Sequence, residues 1–254
     1  MKEFNQNRGK GPAVSLKNVS YRYPDGHVAV NHINLDMETS EKVGIIGPNG
    51  AGKSTLITLL NGSRRGEGNI EICGIPLNQK NLRRIKSNIG LVFQNPDDQL
   101  FCPTIQDDVA FGPLNMGLSP SEAKTRVSQA LSEVGLEGYE TRSSIHISFG
   151  EKKLAAIASI LSMDPRVIAL DEPTSNLDHL HRRKIIQWIQ KNERTIIITS
   201  HDLDLLLETT DRIVILNSGS LTADGSTYDI LRNEFLLKEN NLELPLSIKT
   251  NVYS

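Results

Sequence analysis

The chain has 254 residues, 28 of them basic and 30 acidic, for a formal charge of -2. That length suits one large domain or a core with a smaller insertion, and the charge balance supplies no field that would attract nucleic acid. The longest apolar runs, around 167–170 and 195–199, are strand-sized rather than bilayer-spanning, and two cysteines, Cys73 and Cys102, are too few for a disulfide framework, which favours a reducing compartment.

Residues 1–12 are polar, lack the apolar centre of a signal peptide and are expected to form a disordered lead. From 13 to 23 apolar and polar positions alternate (Val14, Leu16, Val19, Tyr21, Tyr23), which predicts an edge strand. Pro24, Asp25 and Gly26 close it by a turn, and 28–37 is its return strand. Tyr23 offers a face on which an adenine ring can stack, although strand packing alone accounts for it.

Residues 42–60, KVGIIGPNGAGKSTLITLL, are the stretch around which the rest is organised. A short apolar run reads as a buried strand, 55–60 as a helix, and between them Gly47 is followed after four residues by Gly52, Lys53 and Ser54. That is P-loop spacing, in which backbone N–H groups and a helix N-terminus wrap a phosphate. Lys53 is placed to reach the outer phosphates and the Ser54 hydroxyl to ligate a bridging Mg²⁺.

Beyond it, 66–75 reads as a short strand, the basic residues 83–86 as a solvated helix face, and 89–93 as a further strand. Gln94 ends that strand, where its amide can touch Mg²⁺ or a water, and a proline-marked loop that can move follows. Residues 104–136 change to helical periodicity, with Ser119 to Glu122 as an N-terminal cap, and predict an all-helical insertion. Residues 147–151 (ISFGE) open another helix, where Ser148 and Gly150 form a second anion site or Ser148 is an ordinary cap.

The run 167–172 is a buried strand ending in Asp171 and Glu172, two carboxylates costly to bury without a cation or donor. Asp171 can hold Mg²⁺ through its water shell and Glu172 can polarise an attacking water. Asp178 closes a polar turn, a helix is predicted over 181–190, and His179 and His181 beside it read as surface histidines. Residues 195–199 (TIIIT) suit a central parallel strand that delivers His201 to the same edge. Residues 212–217 and 221–224 predict a hairpin around Gly219, and 235–254 give little periodic signal.

The order and spacing of these motifs resemble the nucleotide-binding subunit of an ABC transporter over residues 13–235. The resemblance implies a P-loop NTPase (RecA-like) α/β core with an N-terminal antiparallel β subdomain and an inserted α-helical subdomain at about 97–160. The nucleotide-binding domain would span 13–240, with a tail over 241–254. It implies that ATP and Mg²⁺ are bound and ATP hydrolysed. Tyr23 matches the adenine-stacking aromatic. Gly47, Pro48, Asn49, Gly50, Ala51, Gly52, Lys53, Ser54 and Thr55 match the Walker A loop, and Gln94 the Q-loop. Ser148 and Gly150 fall in the signature, Asp171 and Glu172 in the Walker B, Asp178 in the D-loop, and His201 is the switch histidine. Catalytic roles pass to Glu172, His201, Lys53 and Gln94, and metal ligation to Ser54, Gln94 and Asp171.

Residues 93–119 and the GEKK at 150–153 are similar, more narrowly, to the ATPase of energy-coupling factor importers, especially the cobalt and nickel branch. That similarity implies a second ATPase subunit, identical or sister, with a transmembrane coupling protein and a substrate-capturing membrane protein. It places the chain peripherally at the cytoplasmic face of the cell membrane, with 94–111 against the coupling protein and no nucleic acid partner. The alternatives are the ATPase of another ABC importer, for a vitamin, amino acid or other small solute, and a soluble ABC ATPase acting on DNA or ribosomes. Two departures stand out: Phe149 replaces the first glycine of the signature, and Leu154 an arginine. If position 149 requires a left-handed backbone, phenylalanine there costs about 1–2 kcal/mol.

Overall fold

The computed structural model describes residues 11–252, so all but the end of the expected disordered lead lies outside the described residues. Alternating burial first builds an antiparallel sheet. Strands β1 (Val14–Arg22) and β2 (Val28–Met37) pair with Val14 opposite Met37. Strand β3 (Lys42–Ile46) then enters a second sheet and leads through the glycine-rich loop into α1 (Lys53–Leu60). Strands β4 (Glu67–Ile72) and β5 (Ile75–Pro76) return to the first sheet, whose order is β2-β1-β4-β5. β1 is therefore interior, with β2 on one side and β4 on the other, and the expected edge strand is corrected. A one-faced sheet gives its central strands the same alternation as its edges, so the pattern cannot separate them.

After α2 (Leu82–Asn88), β6 (Ile89–Val92) joins the second sheet. The inserted helices are α3 (Ile105–Asn115) and α4 (Pro120–Glu133), the latter opened by the reciprocal Ser119–Glu122 capping box that its sequence announces. Helix α5 (Phe149–Leu161) packs against both, then β7 (Val167–Asp171), α6 (His179–Lys191) and β8 (Thr195–Thr199) follow. Helix α7 (Leu203–Thr209), β9 (Arg212–Asn217) and β10 (Ser220–Ser226) complete the six-stranded sheet, in the order β10-β9-β3-β8-β7-β6. β3 runs parallel to β8 and β9, β7 parallel to β6 and β8, and only β10 is antiparallel to its neighbour.

The central strands are apolar on both faces because both are covered. Ile196 and Ile198 of β8 point into the core shared with α5 and α6, while Ile197 joins the core shared with α1 and the antiparallel sheet. Each is fully buried, a contribution of about 1.5–3 kcal/mol per side chain. Helix α6 meets the inserted pair at Glu133, the last residue of α4, which accepts from Trp188 Nε1 at 3.2 Å and Arg194 Nη1 at 3.1 Å.

The C-terminal region is more ordered than its weak periodicity suggests, with α8 (Thr227–Arg232), α9 (Glu234–Glu239) and α10 (Leu246–Val252). Ile230 and Leu231 of α8 and Leu237 of α9 are buried in the core, and local bonds add to that packing. Asn233 caps α9, and the Asp204 carboxylate accepts from the Leu246 and Ser247 amides. Cys73 and Cys102 are free and half-buried, and burial, reinforced by Asp108, pushes the Cys102 thiol up to about 11.

Candidate active site

The parallel strands deliver their C-terminal ends to one edge, and the P-loop crosses it. Gly52 is left-handed (φ 103°), and a Cβ there would lie 2.0 Å from the Ala29 carbonyl oxygen, so only glycine admits this crossing beneath β2. Helix α1 starts at Gly52 with no side-chain cap, leaving its first-turn N–H groups for another acceptor. Lys53 is folded back over the loop and donates to the carbonyls of Gly47 at 2.7 Å and Pro48 at 3.1 Å. Burial lowers its pKa, against the opposing pull of Glu172 and Asp171.

A cavity of about 320 Å³ opens over this loop. Its lining includes Tyr23, Asn49, Gly50, Ala51, Gly52, Lys53, Ser54, Thr55, Gln94, Glu172 and His201, all of them named from the sequence. It also includes His27 and Ala29, which the sequence did not single out; His27 stacks beside Tyr23 with ring centroids 6.3 Å apart. Tyr23 is oriented by its hydroxyl, 2.9 Å from Thr55 Oγ1, and by Arg64, whose guanidinium lies 5.0 Å from the ring centroid.

Asp171, like Gly47 and Pro48, is not among the lining residues; it lies buried behind Ser54, its Oδ1 accepting from Ser54 Oγ at 3.2 Å and Thr199 Oγ1 at 2.5 Å. Among the described residues no three His, Cys, Asp or Glu side chains gather into a metal cluster. One hydroxyl, one carboxylate and the nearby Gln94 amide instead fit Mg²⁺, which keeps waters and takes further ligands from phosphates. Glu172 sits just past β7 in a left-handed conformation (φ 45°), its Oε2 accepting from the His201 amide at 3.2 Å and Ser200 Oγ at 3.3 Å. Its Oε1 is buried, has no hydrogen-bond partner and lies 3.5 Å from His201 Nε2. Burial raises the Glu172 pKa, opposed by the His201 amide bond and by the charges of His201 and Lys53. A carboxylate with one tethered and one unpaired oxygen keeps a lone pair with which to accept a proton once a water reaches it.

Ser148, Gly150 and Asp178 are not brought to this cavity. Ser148 caps α5, accepting from the Glu151 amide, while Glu151 accepts from the Ser148 amide at 2.7 Å and the Tyr139 hydroxyl at 2.5 Å. Asp178 caps α6 and binds His181 Nδ1 at 2.8 Å. His181 is not an ordinary surface histidine: a Cβ on Gly150 would lie 2.3 Å from its ring. That contact joins the Asp178 turn to the first turn of α5 and keeps position 150 a glycine. Phe149 is the first residue of α5 and is not among the positive-φ residues, so the strain considered for it does not arise.

Sequence reasoning also missed Lys153. It is fully buried, donates to the Phe93 and Gln94 carbonyls at 3.1 and 2.6 Å, and is pushed down to about 8 by burial against the pull of Asp171 and Glu172. Its position three residues after Gly150, on the face continued by Ile157 and Leu161, is the periodic signal that turns it inward. The loop after Gln94, expected to be able to move, is fastened to α5. Lys152 pairs with Asp97 at 2.7 Å, and Gln99 donates to the Ala156 carbonyl at 2.9 Å.

Beside that loop lies a larger groove of about 660 Å³, with the rings of Phe101 and Phe111 exposed and meeting edge to face. Asp108 lines it, buried, with Oδ1 accepting from the Phe101 and Cys102 amides and Oδ2 without a partner. Among the described residues no helix is long and apolar enough to cross a membrane.

Comparison with known proteins agrees with this geometry. A family described as ABC transporter matches residues 30–175. An energy-coupling factor transporter ATP-binding protein EcfA from Methanothermobacter thermautotrophicus is 44% identical over 238 residues, covering 91% of this chain and 76% of the relative. The solved structure of cbiO1 from Clostridium perfringens, described as part of the ABC transporter complex cbiONQ, superposes with a TM-score of 0.80 at 32% identity, over 96% of this chain and all of that one. The ATP-binding cassette MJ0796, solved as a dimer with ADP and Pi, gives a TM-score of 0.76 at 28% identity over 84% of this chain and 98% of that one. With its P-loop, its paired strand-end carboxylates and these relatives, the chain belongs to the ABC transporter family as an ATP-hydrolysing subunit of the energy-coupling factor type.

Proposed function

We propose that this chain powers uptake through an energy-coupling factor importer whose cargo is cobalt or nickel ions, working peripherally at the cytoplasmic face of the membrane. The observation that carries the two-subunit part of this reading is the division of the motifs. Residues 49–55 of the Walker A loop share one cavity with Gln94, Glu172 and His201, while Ser148, Gly150 and Asp178 lie outside it. A second subunit, identical or sister, brings its Ser148 and Gly150 to the ATP held by the first, and ATP joins the two.

Within each cavity Tyr23 stacks the adenine and the loop from Gly47 to Thr55 wraps the phosphates. Lys53 turns from its own carbonyls to the outer phosphates. Ser54, Asp171 and Gln94 would hold Mg²⁺, which would neutralise phosphate charge. Glu172 accepts the proton of the attacking water through Oε1, and His201 steadies both that carboxylate and the γ-phosphate. Lys53, by charge, and the α1 N-terminus, by its dipole, stabilise the departing anion.

The groove of Phe101 and Phe111 supports docking of the coupling protein, because it is apolar, exposed and adjoins the loop that carries Gln94. The choice of cobalt or nickel rests on the similarity of residues 93–119 and 150–153 to that branch.

The test is a pull-down of the tagged chain from solubilised membranes of its source cell, followed by metal-ion uptake measured with the recovered complex. Recovery of a multispanning coupling protein with a small substrate-capturing protein, and ATP-dependent uptake of cobalt or nickel, supports the proposal. Uptake of a vitamin or amino acid instead corrects the cargo. Recovery of ribosomes or nucleic acid without a membrane protein overturns the importer reading.

A further inference from the structure

The loop at 93–99 and helix α5 belong to different ends of the reaction. The loop begins at Gln94, which lines the chain's own nucleotide cavity, and α5 begins at Ser148 and Gly150, which lie outside it. Three side chains cross between them. Lys152 to Asp97 is a half-exposed ion pair, of the kind that contributes little. Gln99 accepts from the Phe93 amide at 3.2 Å and donates to the Ala156 carbonyl and Ser159 Oγ. Lys153 is fully buried, and its ammonium holds the carbonyls of both Phe93 and Gln94.

A buried ammonium without acceptors is expensive, so this cation keeps its two carbonyls wherever α5 goes. The carbonyls belong to the residue that ends the strand region and to Gln94 itself. Their capture fixes the point from which the Gln94 side chain enters the cavity. Among the described residues the Lys153 ammonium has no other hydrogen-bond acceptor, neither in the P-loop nor on a carboxylate.

We infer that Lys153 is a positioning residue that clamps the Gln94 backbone to helix α5, so that the Q-loop and the first turn of α5 move as one body. The inference rests on the ATP-hydrolysing reading above. Under the two-subunit arrangement it makes Lys153 the tie between a chain's own nucleotide, met by Gln94, and its partner's, met by Ser148 and Gly150.

The experiment uses the full chain and compares Lys153→Met, which keeps the length and loses the donors, with Lys153→Gln, whose amide can still donate, and with Lys152→Met. Nucleotide affinity, kcat, KM, the Hill coefficient for ATP and hydrogen exchange of the 93–99 amides are measured on each. We expect Lys153→Met to keep nucleotide affinity, to lose roughly 10²-fold in kcat, as for a group displaced by about 1 Å, and to lower the Hill coefficient towards one. Exchange at 93–99 should rise, Lys153→Gln should recover part of kcat, and Lys152→Met should lose less than Lys153→Met.

Wild-type kcat and protection at 93–99 in Lys153→Met overturn the inference, as does an equal loss in Lys152→Met. If Lys153→Met does not fold, the wild-type chain decides. The 93–99 amides and the first turn of α5 must change protection together, at the same ATP concentration, and separate responses overturn the clamp. Failure of the two-subunit reading shows separately, as a Glu172→Gln chain that does not dimerise with ATP, and the kcat and exchange results judge Lys153 in either case.

Discussion

The two helix N-termini that carry phosphate motifs are built in opposite ways. Helix α1 starts from a left-handed glycine with no side-chain cap, so its first-turn donors are unfilled by the protein. Helix α5 starts from a complete capping box, with Ser148 and Glu151 satisfying each other's amides. The first end therefore gains most from an anion. The second is already satisfied, and the Ser148 hydroxyl, which accepts from Glu151, keeps its own proton to donate. In the proposed two-subunit arrangement, the first end wraps a phosphate tightly and the second touches one and lets go.

The strongest way to sharpen this contrast is Glu172→Gln, which leaves both ends intact and removes the proposed base. Turnover should fall by roughly 10² to 10⁴-fold while ATP binding persists, measured by phosphate release and nucleotide titration. Near-normal turnover would refute the assigned base. The contrast breaks if both ends serve one chain, and mixing inactive variants decides that. Lys53→Ala damages only the α1 end and Ser148→Arg only the α5 end, so each alone should be inactive. Their mixed dimers hold one undamaged site and should regain hydrolysis, whereas a mixture as inactive as its components excludes a shared site.

A smaller effect lies in pH. Burial raises Glu172 above the usual carboxylate value of 4.5, so the protonated, inactive form persists to higher pH. The acid limb of kcat should therefore fall at a pH above 4.5. The sign for stability is opposite: a raised carboxyl favours the folded state at low pH and costs stability at pH 7, so Glu172→Gln should raise the Tm there. The smallest expected effect is Ser148→Ala, which removes the α5 cap at about 1 kcal/mol and lowers the Tm, without altering binding of nucleotide to the α1 end.

Legibility followed how local each feature is. The P-loop, its flanking strand and its helix lie in one run of sequence, and every side chain from Asn49 to Thr55 lines the cavity as its spacing indicates. Gln94, Glu172 and His201 were legible as polar residues at the ends of apolar strands, because a parallel sheet gathers such ends on one edge. What escaped depends on contacts across the chain. Lys152 and Lys153 are alike as letters, and what separates them is the register of α5, which puts the second on the face of Ile157 and Leu161. His181 reads as a surface residue until Gly150 is seen against its ring, and β1 as an edge until β4 pairs with its far side.

The junction of α4 with α6 has a practical consequence. The chain contains a single tryptophan, and its indole N–H is bonded to Glu133 at the end of the inserted helical pair. Fluorescence excited beyond the absorption of the five tyrosines therefore has one source, placed where the insertion meets the core. Should the helical arm swing as ATP is bound and released, the indole loses its acceptor and part of its packing, and its emission moves. The unlabelled protein thus carries its own optical gauge of that hinge, readable on a stopped-flow instrument turnover by turnover.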